Sequence, residues 1–321
     1  MMKFTIVIPT YNGSEYVEET LLSAINQTRK ADAIIVSDDN SMDNTLDICS
    51  RYKDIVGICK NGKGPSGFVN GWNNAINLVD DGYIAILHQD DLLAPTFLEE
   101  IENAINLHPD VKHFFVPCNY IDSNGAIKRE PDYCDGTIHR YSGIEYADAY
   151  RAIGCPHIHR CPGVVTHKSI FAKCQYRSEA GHIADDDFFY RVGQYTDVVG
   201  ILKPLASYRE HEKSETGHLE NIKLVNRLAN DYIYQVSDSF DKTFPHEELK
   251  TYFKEMARYF VTQYLILSLR QNESVELKKA VENWTQMVQL GISPSLKGRI
   301  VYLCFRVFGR KITHKIIKLV G

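Results

Sequence analysis

The stretch Ile84-Ala-Ile-Leu-His-Gln-Asp-Asp-Leu-Leu93 decides the fold. Its four apolar residues, Ile84 to Leu87, give a short buried-strand signal. The run then breaks into His88, Gln89 and the pair Asp90-Asp91, and Pro95 opens a helical pattern. Two adjacent carboxylates at the end of a buried strand repel each other and cost desolvation energy. A divalent cation between them and an anionic ligand offsets that cost. The plainer reading is an Asp-rich turn that caps the next helix. In open α/β sheets, ligands bind beyond the carboxyl ends of the strands, where this pair falls.

The same arrangement recurs toward the N-terminus. Phe4-Thr-Ile-Val-Ile8 reads as a buried first strand ending at Pro9-Thr-Tyr-Asn-Gly13, and Glu15 to Gln27 has helical spacing at Val17, Leu21, Leu22 and Ile25. Ala33-Ile-Ile-Val36 is a second strand that also ends in acid, at Ser37-Asp38-Asp39-Asn40-Ser41. Asp43 to Tyr52 reads as a helix, Val56-Gly-Ile-Cys59 as a weaker strand, and a further helix starts near Phe68. Strands alternating with helices in units of about 30 residues predict a doubly wound, mostly parallel sheet with helices on both faces. The strand ends bearing Thr-Tyr-Asn, Asp-Asp and Asp-Asp then share one edge, and that edge reads as a nucleotide site.

A chain of 321 residues that is 44% hydrophobic can bury a full core, as one large domain or two modest ones. A net charge of -5 and a pI near 6.2 point away from nucleic acid. The eight cysteines (49, 59, 118, 134, 155, 161, 174, 304) form no C-x-x-C pair, and the chain enters a strand pattern at once without an apolar leader. These features predict reduced thiols and a cytoplasmic location. No apolar run approaches the roughly 20 residues needed to span a bilayer.

Gly62-Lys-Gly-Pro-Ser-Gly67 matches the G-x-G-x-x-G dinucleotide fingerprint. It follows the third strand rather than the first, holds Pro65 inside the turn, and lacks an acidic strand end about 20 residues on. A dehydrogenase is therefore set aside, and no Walker A spacing is present.

Ile8-Pro-Thr-Tyr-Asn12, Val36-Ser-Asp-Asp-Asn-Ser41 and His88-Gln-Asp-Asp91, in this order and spacing, resemble glycosyltransferase family 2 with its GT-A fold. Ala184-Asp-Asp-Asp-Phe-Phe-Tyr-Arg191 resembles the family's acidic helix start, and Tyr208-Arg-Glu-His-Glu-Lys-Ser214 its closing Tyr-Arg-x-His-x-x-Ser stretch. The resemblance covers roughly residues 3 to 216. It implies a catalytic domain over 1–216, followed by a helical region over 217–321.

The resemblance further implies an inverting transfer of a sugar from a nucleotide-diphosphate sugar to an acceptor hydroxyl, with Mn2+ or Mg2+ at the diphosphate. Asp91 takes the place of a metal ligand and Asp90 that of a partner to the ribose. His211 completes the metal shell or touches the diphosphate. Pro9, Thr10, Tyr11 and Asn12 line the nucleoside pocket, and Asp39 takes the place of the carboxylate that accepts an N–H from the base. Such an acceptor suits uracil or thymine, and a UDP-sugar is favoured. Asp38 serves instead to cap its turn. Asp185 aligns with the family's general base and Asp186 is its neighbour; the triple Asp185-Asp186-Asp187 leaves the choice open by one residue. Acidic capping of the helix is the structural alternative. Family habit puts the acceptor among lipid-linked or other surface glycans, as in lipopolysaccharide or capsule synthesis.

This chain departs from the family pattern in places. Gly71-Trp-Asn-Asn74 stands where the family writes Ala-Arg-Asn, so Trp72 either stacks on the base or belongs to the core. His88 replaces an Asp common two residues before the acidic pair. The Gln-x-x-Arg-Trp string of processive synthases is missing. Cys155-Pro-His-Ile-His-Arg-Cys161, with His167 and Cys174, reads as an acceptor-binding loop, a zinc site or plain packing. Residues 296–321 hold seven Lys/Arg and no acid among apolar residues, which suits either an anionic membrane surface or a helix docked on the protein. Two rivals are a non-catalytic nucleotide- or carbohydrate-binding relative, and a nucleotidyltransferase. The second would carry a Gly-rich cationic loop after the first strand, which Pro9-Thr-Tyr-Asn-Gly13 is not.

Overall fold

The computed structural model describes residues 2–61, 65–131, 134–143, 145–146, 161–211, 221–239, 247–271 and 274–320. The chain forms two compact units. One contains Met1–Ser178 with Asp185–His211, and the other Glu179–Ala184 with Glu212–Gly321. The expected boundary at 216/217 lies outside the described residues.

In the first unit, β1 (Phe4–Thr10) is buried on both faces, as expected of a strand sandwiched between helix layers. Helix α1 (Val17–Ile25) buries Val17, Thr20, Leu21 and Ala24 on one face, and Glu18 and Glu19 in its first turn complement the helix dipole. Then follow β2 (Ala33–Asp38), α2 (Thr45–Ser50), β3 (Gly57–Lys60), α3 (Phe68–Asn77) and β4 (Tyr83–Ile86). Strand β3 lies one residue later than its apolar run suggests, because its register pairs Gly57 with Ile35 and Lys60 with Asp38. The remaining elements are β5 (Leu92–Leu93), α4 (Phe97–Leu107), β6 (His113–Phe115), β7 (Cys118–Ile121), β8 (Ile127–Arg129), β9 (Ile138–Tyr141), β10 (Val164–His167), α5 (Lys168–Phe171), α6 (Ala184–Val192), β11 (Val198–Ile201) and β12 (Ala206–Arg209).

The main sheet has the order β3-β2-β1-β4-β10-β6-β11-β9. Its first four strands are mutually parallel. Beyond them β10 runs antiparallel to both β4 and β6, and β9 antiparallel to β11. The chain moves outward from β1 through β2 to β3, then returns to place β4 on the other side of β1. The order thus reverses beside β1, and a crevice opens at the carboxyl ends of β1 and β4.

A second sheet, β5-β12-β7-β8, has no forerunner in the sequence reading. Strand β12 runs antiparallel to β5 and parallel to β7, with Arg209 level with Ile121. This brings the last strand of the unit against the residues just after Asp91.

The second unit contains no strand among the described residues. Its helices are α7 (Ile222–Tyr234), continued by a π-helical turn at Gln235–Ser239, then α8 (Glu247–Arg270), α9 (Ser274–Gln289) and α10 (Leu296–Val320). Tyr232 of α7 stacks on Phe260 of α8, and Tyr264 of α8 donates its hydroxyl hydrogen bond to Glu276 of α9. Helix α10 breaks at Gly309, where φ is 72°.

Candidate active site

The crevice is built from four loops at the strand ends. After β1 the backbone turns at Asn12, whose φ is 49°, and after β2 at Asn40, whose φ is 71°. Asparagine is among the few non-glycine residues that tolerate this left-handed region. The two turns are joined: Asn12 N donates to Ser41 Oγ at 2.9 Å, and Met42 N donates to Asn12 Oδ1 at 2.8 Å.

Asp38 accepts from Ser41 N at 2.9 Å and from Thr10 Oγ1 at 3.1 Å, and so secures its own turn. Asp39 is buried and accepts from Ser66 N at 2.6 Å. Ser66 belongs to the glycine-rich segment before α3, so that loop serves the Asp39 carboxylate; residues 62–64 lie outside the described residues. Pro9 is paired with Ser37 inside the sheet, while the Tyr11 ring is exposed at the mouth of the crevice.

Gln89 bridges the two strand ends. Its Oε1 accepts from Tyr11 N at 2.8 Å, and its Nε2 donates to Tyr11 O at 3.1 Å. The backbone at Gly13 approaches this amide so closely that an added Cβ would lie 2.2 Å from Gln89 Oε1.

Asp90 and Asp91 point to different partners. His211 Nε2 lies 2.9 Å from Asp90 Oδ2, and the His211 ring packs on Tyr16 with centroids 4.8 Å apart. With only 10% of its side chain exposed, His211 is not a free surface residue. Asp91 is buried, and its Oδ1 accepts from Arg209 N at 2.8 Å. Its Oδ2 is buried without a hydrogen-bond partner; His88 Nδ1 stands 3.7 Å away. Burial and then the Asp90 charge hold the Asp91 carboxyl well above the usual carboxylate range, against the pull of the Arg209 N–H and guanidinium. Burial likewise lowers the pKa of His88, with Asp90 opposing.

Arg209 ties these loops together. Its Nε donates to Asp90 O at 2.7 Å, its Nη1 to Asp122 O at 3.2 Å, and its Nη2 to Glu19 Oε2 at 2.6 Å. Its guanidinium lies over the Tyr16 ring at 4.8 Å. No residue pattern announces these roles for Gln89, Arg209 or Ser66. Arg209 stands inside the quoted Tyr208-to-Ser214 stretch, but most of its partners are backbone carbonyls.

Trp72 is packed rather than open. One face stacks on His88 at 5.0 Å and 16°, and Phe68 and Tyr176 meet it edge-on. Only 9% of Trp72 is exposed, so the indole forms a wall behind His88 and not a free stacking platform.

The three carboxylates of α6 have separate environments. Asp187 is buried between Arg177 and Arg191, with Arg177 Nε at 3.0 Å and Arg191 Nη2 at 2.6 Å. Asp186 is buried, and its charge reaches Tyr146. Asp185 is half-buried at the first turn and accepts from Asp186 N at 2.9 Å. Burial raises the pKa of the Cys161 thiol well above its usual range, followed by the charges of Asp185 and Asp91. Both carboxylates therefore lie within electrostatic reach of one buried thiol.

Cys155, His157 and His159 lie outside the described residues. Cys161 and Cys174 are buried, and Arg191 Nη1 donates to Cys174 Sγ at 2.9 Å. Among the described residues no group of three or more His, Cys, Asp or Glu side chains forms a closed metal cage. The unpartnered Asp91 Oδ2 is an oxygen that could serve as one ligand of a cation. A hard divalent cation that takes its other oxygens from water and a diphosphate fits such a ligand.

The description "Glycosyl transferase family 2" matches residues 5–164. The chain is 27% identical over 246 residues to UDP-Glc:alpha-D-GlcNAc-diphosphoundecaprenol beta-1,3-glucosyltransferase WfaP of Escherichia coli, covering 64% of this chain and 97% of that protein. Its structure is similar to that of S. aureus TarS 1–349 in complex with UDP-GlcNAc, with a TM-score of 0.63 at 15% identity, over 98% of this chain and 90% of that TarS fragment. It is also similar to the mannosyltransferase PcManGT of Pyrobaculum calidifontis in complex with GDP-Man and Mn2+, with a TM-score of 0.52 at 17% identity, over 99% and 86% of the two chains. At such identities the structural likenesses speak for the fold alone. The chain belongs to glycosyl transferase family 2, and the sheet that forms its crevice is that of a GT-A fold.

Proposed function

We propose that this protein transfers one sugar from a UDP-sugar to a hydroxyl of a lipid-linked glycan in bacterial surface polysaccharide synthesis, by a single inverting displacement. The observation that carries this reading is the Asp91 carboxylate, whose Oδ2 is buried and without a hydrogen-bond partner at the end of β4. Such a group is costly unless a cation and an anionic ligand share the site.

Asp91, with His211 beside Asp90, would hold Mn2+ or Mg2+. That cation would neutralise the nucleotide-diphosphate leaving group as a Lewis acid and template. Asp90 would take the ribose. Pro9, Thr10, Tyr11 and Asn12 wall the nucleoside, with Gln89 fixing the Tyr11 backbone. A carboxylate has about four acceptor sites, so Asp39 can accept a ring N–H while it holds Ser66. That acceptor favours uracil, in accord with the UDP-Glc donor in the name of WfaP. WfaP's diphosphoundecaprenol acceptor supports a lipid-linked acceptor here.

Removal of the acceptor proton falls to Asp185. Its neighbour Asp187 is locked between two arginines and Asp186 is buried, whereas Asp185 is half-buried at the first turn, where its charge and that of Asp91 both act on the Cys161 thiol. Attack by a hydroxyl on the face opposite the diphosphate requires one base and no covalent intermediate.

Calorimetric titration of UDP, GDP, dTDP and CMP, with and without Mn2+, on wild type and Asp91→Asn tests the donor site. The reading requires Mn2+-dependent UDP binding that the variant loses. Binding of another nucleotide alone overturns the UDP assignment, and no metal-dependent nucleotide binding overturns the donor site. Asp185→Asn should bind UDP normally and lose turnover. If Asp186→Asn does so instead, the base moves by one residue.

A further inference from the structure

Helix α10 carries an apolar stripe that faces away from the helical bundle it packs on. Leu296, Ile300, Leu303 and Val307 follow at i, i+4, i+7 and i+11, which is one face of an α-helix. With Phe308 and Ile312 they are between 50 and 75% exposed. The opposite face is already occupied. Gly298 comes so close to α8 and α9 that an added Cβ would meet Thr262 Oγ1 and Trp284 Cζ3 at 3.0 Å. Tyr302 stacks on Trp284 at 4.8 Å, and His314 Nδ1 lies 2.7 Å from Leu269 O. Docking on the bundle therefore accounts for one face of α10 and leaves the stripe uncovered.

The charges flanking the stripe have one sign. Residues 296–321 contain seven Lys/Arg and no Asp or Glu, although the whole chain carries -5. Lys297, Arg299, Arg306, Lys311 and Lys315 are exposed, and on the helical wheel Lys297 lies on one side of the stripe and Arg299 and Arg306 on the other. The turns from Leu296 to Val307 make the stripe about 16 Å long at 1.5 Å per residue. No described helix is long and apolar enough to cross a membrane. An apolar stripe between basic flanks on a helix too polar to span a bilayer is the pattern of a segment lying in the plane of a lipid headgroup layer.

We propose that α10 binds the surface of an anionic lipid bilayer in plane, with Leu296, Ile300, Leu303 and Val307 inserted and its basic flanks on the headgroups. A second copy of this chain explains the stripe but not its flanks, since two such faces would bring like charges together.

The test is co-sedimentation of the full chain with phosphatidylcholine vesicles, with and without phosphatidylglycerol. It is run on wild type, on Leu303→Asn/Val307→Asn and on Arg299→Gln/Arg306→Gln, with light scattering and thermal melting of each. The expected result is binding to anionic vesicles that weakens with salt and falls roughly tenfold or more in both variants, at unchanged mass and melting temperature. No binding to anionic vesicles, or binding that neither variant alters, overturns the proposal. So does an apolar variant that splits a dimer while vesicle binding persists, which would make the stripe a contact between copies. Because nucleotide titration reads the donor site separately, failure here leaves the transfer reading standing.

Discussion

The backbone N–H of Arg209 donates to Asp91 Oδ1 at 2.8 Å across 118 residues of chain. The same residue sends its side chain, 1% exposed, to Asp90 O and Glu19. One residue of β12 thus fixes both members of the acidic pair, Asp91 through its main chain and Asp90 through its guanidinium.

Replacing Arg209 by Ala leaves the carbonyls of Asp90 and Asp122 without their donor in a buried site. A loss of about 3–5 kcal/mol is expected, read as a lower midpoint in urea. Glu19→Gln should cost under about 1 kcal/mol, because that carboxylate is half exposed. Equal losses for the two variants would place the stabilisation in the ion pair rather than in the carbonyl contacts.

Asp91→Asn exchanges stability for function. Removing a buried carboxylate whose outer oxygen lacks a hydrogen-bond partner should stabilise the metal-free protein by about 1 kcal/mol, read as a higher melting temperature. Thermal melts with and without Mn2+ plus UDP check this. Wild type should gain stability from the ligands and the variant should not.

Gly13→Ala drives a methyl group into Gln89 and should break the bidentate grip on Tyr11. Losing about 1.4 kcal/mol of donor positioning raises KM for the nucleotide sugar roughly tenfold. In a Gln89→Ala background the same substitution should add little, since the clash and the grip are both gone. An additive double mutant would separate the glycine from the amide.

His113 makes stability fall in acid. Its imidazole is buried among Tyr146, Phe188 and Phe189 beside Thr166 Oγ1 at 2.8 Å, and burial holds its pKa at about 3. The unfolded chain takes up a proton near pH 6.5 and the folded one does not. The stability is therefore complete above pH 6.5 and declines between 6.5 and 3, by about 2 kcal/mol at pH 5. His113→Gln should flatten the fall in melting temperature between pH 7 and 5. An unchanged slope would assign the acid loss to other groups.

The parallel half of the main sheet was legible because its strands, buried on both faces, hold unbroken apolar runs such as Ile6 to Ile8 and Ile84 to Leu87. The acidic ends stood out against those runs. The four-stranded sheet was not legible. Ile127–Arg129 is exposed throughout, and Ala206–Arg209 is four residues long with mixed burial, so neither has a period to read. Gln89 and Arg209 were missed for a common reason: their partners are largely main-chain atoms far along the sequence, which no residue pattern announces. Trp72 was left between core and base, and only the ring of His88 against its face decides that the protein itself uses that surface.

The position of β12 also bears on how the chain is made. The family span 5–164 includes Asp90 and Asp91 but neither Arg209 nor His211. A ribosome adding 5–20 residues per second needs roughly 6 to 24 s to travel from Asp91 to Arg209. Throughout that interval the nascent domain has an open β5 edge and two mutually repelling carboxylates. The nucleotide pocket is thus a late product of synthesis, and fragments that stop short of β12 should expose that strand edge and self-associate.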